Sequence, residues 1–209
     1  MNRRKMLTAA VLLLVTISLY AQNTVTFGGL TSRSVVTDGQ RQVVLSGEAW
    51  IETGDIRISA EEIILSGPSY RYADCRGSVV VEDRGQDLSL TTTRLNYDRV
   101  TTQAVSRGWG ELEDRSGGLT ARGGYISNSS SDRVTLIQIA ARILKSTDEG
   151  PMLCKADSIR YDEPAGALEL TGNAVVMWNN DEYRAAYIRI DLDTNDILLE
   201  GDVSGAVYD

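Results

Sequence analysis

One phrase returns along the whole of this 209-residue chain. It appears as LSGEAWI (Leu45 to Ile51), CRGSVVV (Cys75 to Val81), SRGWGEL (Ser106 to Leu112), IAARIL (Ile139 to Leu144), LTGNAVV (Leu170 to Val176) and LEGDVSG (Leu199 to Gly205). Its central small residues are Gly47, Gly77, Gly108, Ala141, Gly172 and Gly201, separated by 30, 31, 33, 31 and 29 residues. A period this regular means stacked copies of one supersecondary unit, each burying against its neighbours a face that it cannot bury alone.

Within each phrase, the residues two before, two after and four after the small one are mostly apolar, as with Cys75, Val79 and Val81 around Gly77. Those between are mostly polar, so each phrase reads as a strand of period two with one buried face. By that parity the small residue points inward. A glycine in a strand adds no packing and costs conformational entropy. Its expected role is therefore to keep the interior narrow-walled, and leucine at Gly172 should obstruct it.

A second phrase follows each first one: IRISAEEIIL (Ile56 to Leu65), LSLTTTRLNY (Leu88 to Tyr97), GLTARGGYI (Gly118 to Ile126), LCKADSIRYD (Leu153 to Asp162) and YRAAYIRID (Tyr183 to Asp191). Aligned on Ala60, Thr92, Ala121, Ala156 and Ala185, they place apolar residues two before and then three and five after the small one. In the third copy the later positions fall on Gly124 and Ile126, a weak match. The change of step from two to three breaks alternation at one place per copy, as a bulge or sharp bend requires. Each such strand should turn a corner there and contribute to both walls of a folded sheet.

Turn residues separate the phrases, among them Thr53-Gly54-Asp55, Asp83-Arg84-Gly85 and Asn179-Asn180-Asp181. These connections are short, so successive strands should be antiparallel neighbours. The expected fold is all-β: an antiparallel β-jelly-roll of bent strands, built from repeats of about thirty residues and folded over one long apolar interior. Phe27 to Val44 is less regular and reads as a half unit or an N-terminal edge. Val203 to Asp209 begins a sixth unit and stops, so both ends are sheet edges to be protected or used.

The first residues stand apart from the repeat. Arg3, Arg4 and Lys5 precede an uncharged, mostly apolar run from Met6 to Tyr20, and Ala21 supplies a small residue before Gln22. This is the layout of a cleaved secretory signal peptide over residues 1–21, with the domain spanning 22–209. An uncleaved anchor is the alternative, but the fifteen apolar residues fall short of the roughly 20 that span a bilayer as a helix. Removing the signal moves the net charge from −8 to −11. An exported chain this acidic is a poor partner for nucleic acid, whose phosphates call for Lys and Arg.

Catalytic chemistry is sparse. The chain has no histidine, which removes Ser-His-Asp and Cys-His catalysis and the usual zinc sites. Gly108-Trp109-Gly110 opens like a dinucleotide loop, but Glu113 stands where the third glycine belongs. The only lysines are Lys5, Lys145 and Lys155, and none follows a serine at the spacing of a Ser-x-x-Lys nucleophile. DLDTND (Asp191 to Asp196) spaces its first carboxylates like a calcium loop, yet Asp196 replaces the turn glycine and Asp202 the final Glu. A solvated turn is the simpler reading. Adjacent acids such as Glu61 with Glu62 and Asp181 with Glu182 single out no glycosidase pair among 29 acidic residues. No enzyme, cofactor or metal site is expected. Trp50 and Trp109 fall on outward parity, either as isolated exposed rings or as partner contacts. Cys75 and Cys154 fall on inward positions two units apart, beyond the roughly 7 Å reach of a disulfide, so two buried free thiols are expected.

The signal, followed by repeats of (apolar)-x-Gly-x-(Val/Ala)-x-(apolar), a turn, and (apolar)-x-Ala-x-x-Ile-x-Tyr-Asp, resembles the OstA-like or LptA family of lipopolysaccharide transport proteins. The clearest matches are Gly77 to Val81, Ala156 to Asp162 and Gly172 to Asp191, and the resemblance spans about Phe27 to Asp209. An acidic residue commonly follows the alanine in that family; here Glu61 and Asp157 comply, while Thr93, Arg122 and Ala186 do not.

The resemblance implies a periplasmic protein whose apolar jelly-roll groove shields the acyl chains of lipopolysaccharide or a related glycolipid between inner and outer membranes. It also implies that edge strands join end to end with like folds, including further copies of the chain. Candidate lining residues on the first strands are Ile51, Val81, Leu112, Ile143 and Val176; on the second they are Ile58, Leu90, Leu119, Tyr183 and Ile188. Two other readings stay open: an exported β-repeat protein that binds partners without carrying lipid, and a membrane-anchored relative of the LptC kind.

Overall fold

A computed structural model describes residues 24–37 and 39–207. The segment read as a signal peptide lies outside them. Fourteen strands form one antiparallel sheet. They are β1 (Thr26–Gly28), β2 (Thr31–Thr37), β3 (Gln40–Thr53), β4 (Ile56–Ser66), β5 (Tyr72–Asp83), β6 (Leu88–Asp98) and β7 (Gln103–Asp114), then β8 (Leu119–Ser129), β9 (Val134–Thr147), β10 (Gly150–Asp162), β11 (Ala167–Trp178), β12 (Asp181–Asp191), β13 (Ile197–Glu200) and β14 (Ser204–Ala206). From β3 to β12 each strand pairs with the next in the chain. The sheet stays open, and no described helix is long and apolar enough to cross a membrane.

Every long strand from β3 to β12 has a break in register, but the extra residue lies on the first-phrase strands, which the sequence reads as regular, and not on the second-phrase strands where the sequence places it. On β5, the residues pairing with β6 run from Arg76 to Val79 while β6 runs from Arg94 only to Thr92, so β5 holds one residue more. The same one-residue excess recurs between β3 and β4 and between β11 and β12. Stacked bulges of this kind crease the sheet and divide each strand into two halves. On β5, Val79 and Val81 belong to the first wall, Ala73 and Cys75 to the second, and all four are buried. Buried residues from both walls join one hydrophobic cluster, which places the walls face to face.

The crease corrects the reading of the glycines. Gly77 and Gly172 have φ of 71° and 77°, and the residues after them, Ser78 and Asn173, are also left-handed at 46° and 49°. Two left-handed residues in a row swing the chain through the corner, so the glycine leaves the inward row although the residues two before and two after it, such as Cys75 and Val79, are both buried; glycine is the residue that tolerates the first position. The corner faces outward, not inward. A Cβ on Gly172 would lie 3.0 Å from the Cβ of exposed Asp157, and one on Gly77 would lie 3.0 Å from the Cβ of exposed Glu61. Leucine at Gly172 would strain the crease and strike Asp157; it would not enter the interior.

Two units are also displaced from the sequence alignment. In the fourth, the left-handed pair is Ile139 and Ala140, with φ of 64° and 57°. Ala141 is the buried residue after the corner, equivalent to Ala49 and Ala174. On β8 the residue at the bend is Gly123, paired with Gly110, and not Ala121. Both corrections are of two residues. In a strand that shift leaves every side chain on its own face.

Both ends are edges. β1 and β2 lie along the two halves of β3, and β13 and β14 lie along the two halves of β12 with Gly201 and Asp202 at the corner between them. The outer face is polar and cross-linked by pairs between neighbouring strands, such as Arg189 with Glu169 at 2.8 Å and Arg122 with Glu111. Exposed pairs of this type contribute about 0.2–1 kcal/mol each.

Candidate functional site

The interior between the walls is where the predicted lining residues meet. Nine of the ten are buried, among them Ile51, Ile58, Ile143, Val176 and Ile188 at 0% exposure, with Leu90 and Leu112 at 1%, Leu119 at 2% and Val81 at 5%. Tyr183 is half-buried, and its Oη donates to Asp181 Oδ2 at 3.0 Å. Cross-strand pairing strings them together: Ile51 lies opposite Ile58, Ile58 opposite Val81, Val81 opposite Leu90, Leu90 opposite Leu112, and Val176 opposite Tyr183. All but Ile188 belong to the first wall. The facing residues of the second wall, including Leu45, Ile63, Leu95, Ile126, Ile137 and Ile159, are equally buried and missing from the sequence-based set. The step of two, three and two already marked several of them as inward, so the signal was present.

Few polar groups interrupt this surface, and four of them bond in two pairs. Thr92 Oγ1 and Ser106 Oγ lie 2.7 Å apart, and Asn128 Nδ2 donates to Thr135 Oγ1 at 3.0 Å. Cys75 and Cys154 are buried and free, as expected. Cys75 sits on the second wall and Cys154 on the first, and burial pushes both thiols up to about 12, so neither is a ready nucleophile.

Along the side away from the crease run the two rows of turns. Asp83, at the end of β5, is 6% exposed and accepts from the N–H groups of Gly85 and Gln86. The Gln86 amide in turn donates to the Ser130 carbonyl at 2.6 Å, reaching from the turn after β5 to the turn after β8. These turns belong to opposite walls, so this bond spans the mouth of the trough. Beside it, Arg71 holds Asp98 through Nε at 2.9 Å and Nη2 at 2.6 Å, which keeps that carboxyl well below the usual carboxylate range.

The expected turn at Asp191 is present. Asp191 Oδ1 accepts from the N–H groups of Asp193 and Thr194 at 3.0 and 2.9 Å, and these bonds lower its pKa. Trp109 is 57% exposed, while Trp50 is half-buried beneath the Arg57 guanidinium, 4.7 Å from its ring centre.

A creased, open antiparallel sheet of repeated strand pairs, enclosing an apolar interior that runs from unit to unit, defines a trough-like class of β-jelly-roll. The chain belongs to the LptA/(LptD N-terminal domain) family of LPS transport proteins, whose family model matches residues 30–196. Its fold is similar to the crystal structure of LptH from Pseudomonas aeruginosa, described as the LptA homologous periplasmic component of the conserved lipopolysaccharide transport device. That match has a TM-score of 0.54 at 14% identity and covers 61% of this chain and 99% of LptH. No curated protein sequence matches the chain. The family is one of transport proteins and not of enzymes, in agreement with the lack of catalytic motifs.

Proposed function

We propose that the protein is exported to the periplasm and carries lipopolysaccharide or a related glycolipid between the two membranes, holding its acyl chains in the trough. The observation that supports this most is the unbroken run of apolar side chains from Ile51 to Tyr183 across the first wall, faced by a second apolar wall. Each methylene kept from water is worth about 0.8 kcal/mol, so a chain of about twelve represents roughly 10 kcal/mol. An interior that offers similar surroundings in every unit lets such a chain move along it without a large barrier. The own side chains fill the interior in this state, so cargo enters by parting the walls at the mouth, where Gln86 bridges to Ser130. The broken edge strands β2, β13 and β14 offer unpaired backbone for end-to-end pairing with like folds.

The test is photocrosslinking to lipopolysaccharide from a probe at Leu90 or Val176, with Trp109 on the outer surface as the control. Labelling from the interior sites and not from Trp109 is expected. No interior labelling by the folded protein overturns the carrier reading. It would favour a partner-binding β-repeat protein without cargo, the reading that complete burial of Leu90 and Val176 also suits.

A further inference from the structure

Two buried side-chain polar atoms lack a hydrogen-bond partner among the described residues, and both lie at the mouth of the trough: Tyr97 Oη and Arg99 Nε. Tyr97 projects from the second-wall half of β6 and is 2% exposed. Arg99 opens the following turn. Its Nη1 donates to the carbonyls of Ser69 and Tyr70 at 2.9 and 2.7 Å, and its own N–H donates to the Arg71 carbonyl at 3.0 Å, so its position is fixed. Asp98, between them in sequence, is committed to Arg71 and to the N–H groups of Val100 and Thr101.

Buried donors in a folded protein are nearly always satisfied, and a pair left open at the border between an apolar interior and water points to an acceptor that arrives. The charges nearby say which kind. Burial keeps the Tyr97 phenol neutral; it feels Asp83 from the opposite wall and, from its own side, the Arg99 cation and the Asp98 carboxylate that Arg71 holds. The Asp83 carboxylate and the Arg99 guanidinium offset one another, so an anionic acceptor gains little and meets Asp83. A neutral oxygen that accepts from a phenol O–H and from Nε–H fits both.

We infer that Tyr97 and Arg99 form a subsite for the ester or amide carbonyl at the foot of an acyl chain. The chain would lie on the apolar wall beside Leu90 and Leu95, and the carbonyl would sit at the mouth, where the headgroup leaves for water. This rests on the carrier reading above and adds a polar anchor to it. The anchor sets how deep the acyl chain enters.

The subsite is tested with two neutral sugar amphiphiles below their micelle concentrations: dodecanoyl-N-methylglucamide, which has the carbonyl, and dodecyl glucoside, which has an ether oxygen in its place. Their affinities are measured by displacement of a fluorescent fatty-acid analogue from the wild type, Tyr97→Phe and Tyr161→Phe. Tyr97→Phe should weaken the amide about tenfold, in line with loss of one buried hydrogen bond, and leave the glucoside within about twofold. Tyr161→Phe, at the equivalent position two units away, should alter neither. Without ligand, Tyr97→Phe should melt no lower than the wild type, because it removes an unsatisfied hydroxyl. Equal weakening of both amphiphiles, or of neither, overturns the subsite and leaves the carrier reading standing. Failure of the wild type to bind either overturns both.

Discussion

The corner at Gly172 and the corner at Ile139 solve one steric problem in opposite ways. At the first, the left-handed residue is a glycine and its neighbour across the strands is Asp157, whose carboxylate accepts from Asn173 Nδ2 at 2.9 Å. Glu61 stands over Gly77 in the same manner and accepts from Ser78 Oγ at 3.0 Å. At the second corner the left-handed residue is Ile139, and the residue beneath it is Gly124, whose Cβ would lie 2.9 Å from Ile139 Cγ2. The side chain and the vacancy have changed strands. What the crease requires is one missing Cβ per crossing, and either strand can provide it.

Exchanging the two solutions breaks or sharpens this comparison. Gly172→Leu should lose about 2–3 kcal/mol in urea unfolding, from left-handed strain and collision with Asp157. Adding Asp157→Gly, which copies the Ile139 corner, should recover part of that loss. A Gly172→Leu protein as stable as the wild type would remove the steric account of the corner. Because this corner faces outward, any Gly172→Leu protein that folds should still label from Val176, whereas an inward residue would block it.

Gly124→Asp should cost about 1–2 kcal/mol through overpacking against Ile139, and the cost should shrink when Ile139→Gly accompanies it. Ile139→Asn should gain about 0.5–1 kcal/mol, since asparagine tolerates the left-handed region better and Ile139, 66% exposed, surrenders little burial. A drop in its melting temperature would show that the Ile139 side chain contributes packing over Gly124 that outweighs its strain. Asp157→Ala should change stability least, by about 0.5 kcal/mol, as its bond to Asn173 is exposed. A double-mutant cycle with Asn173→Ala measures that term alone.

The same comparison shows what the sequence could and could not reveal. The strand pattern, the antiparallel order, the bend and the burial of the lining residues were legible, because side chains of alternating polarity report directly on which face is covered. The direction of the glycines was not, because a residue without a side chain leaves no such trace and parity fails at the left-handed corner itself while holding on both sides of it. The third and fourth units were misaligned for a related reason. With glycine moved from the Ile139 position to Gly124, the most visible marker of the corner sits on the wrong strand. Leu119 and Ile143 are nevertheless buried, since a two-residue slip preserves the face. The pair of open donors at Tyr97 and Arg99 had no sequence signature, because it depends on which partners the turns after β4 and β5 leave unused.

The meander order of β3 to β12 has a kinetic consequence. Each of these strands pairs with the one made just before it and the one made just after, so few contacts wait for a distant part of the chain. Low contact order of this sort favours rapid folding for a β protein, with hairpins added to a growing end instead of a late closure. A chain that emerges N-terminus first then consolidates as it appears. Inserting or deleting one whole pair of strands would change the length of the fold by about 10 Å while leaving the remaining pairings intact.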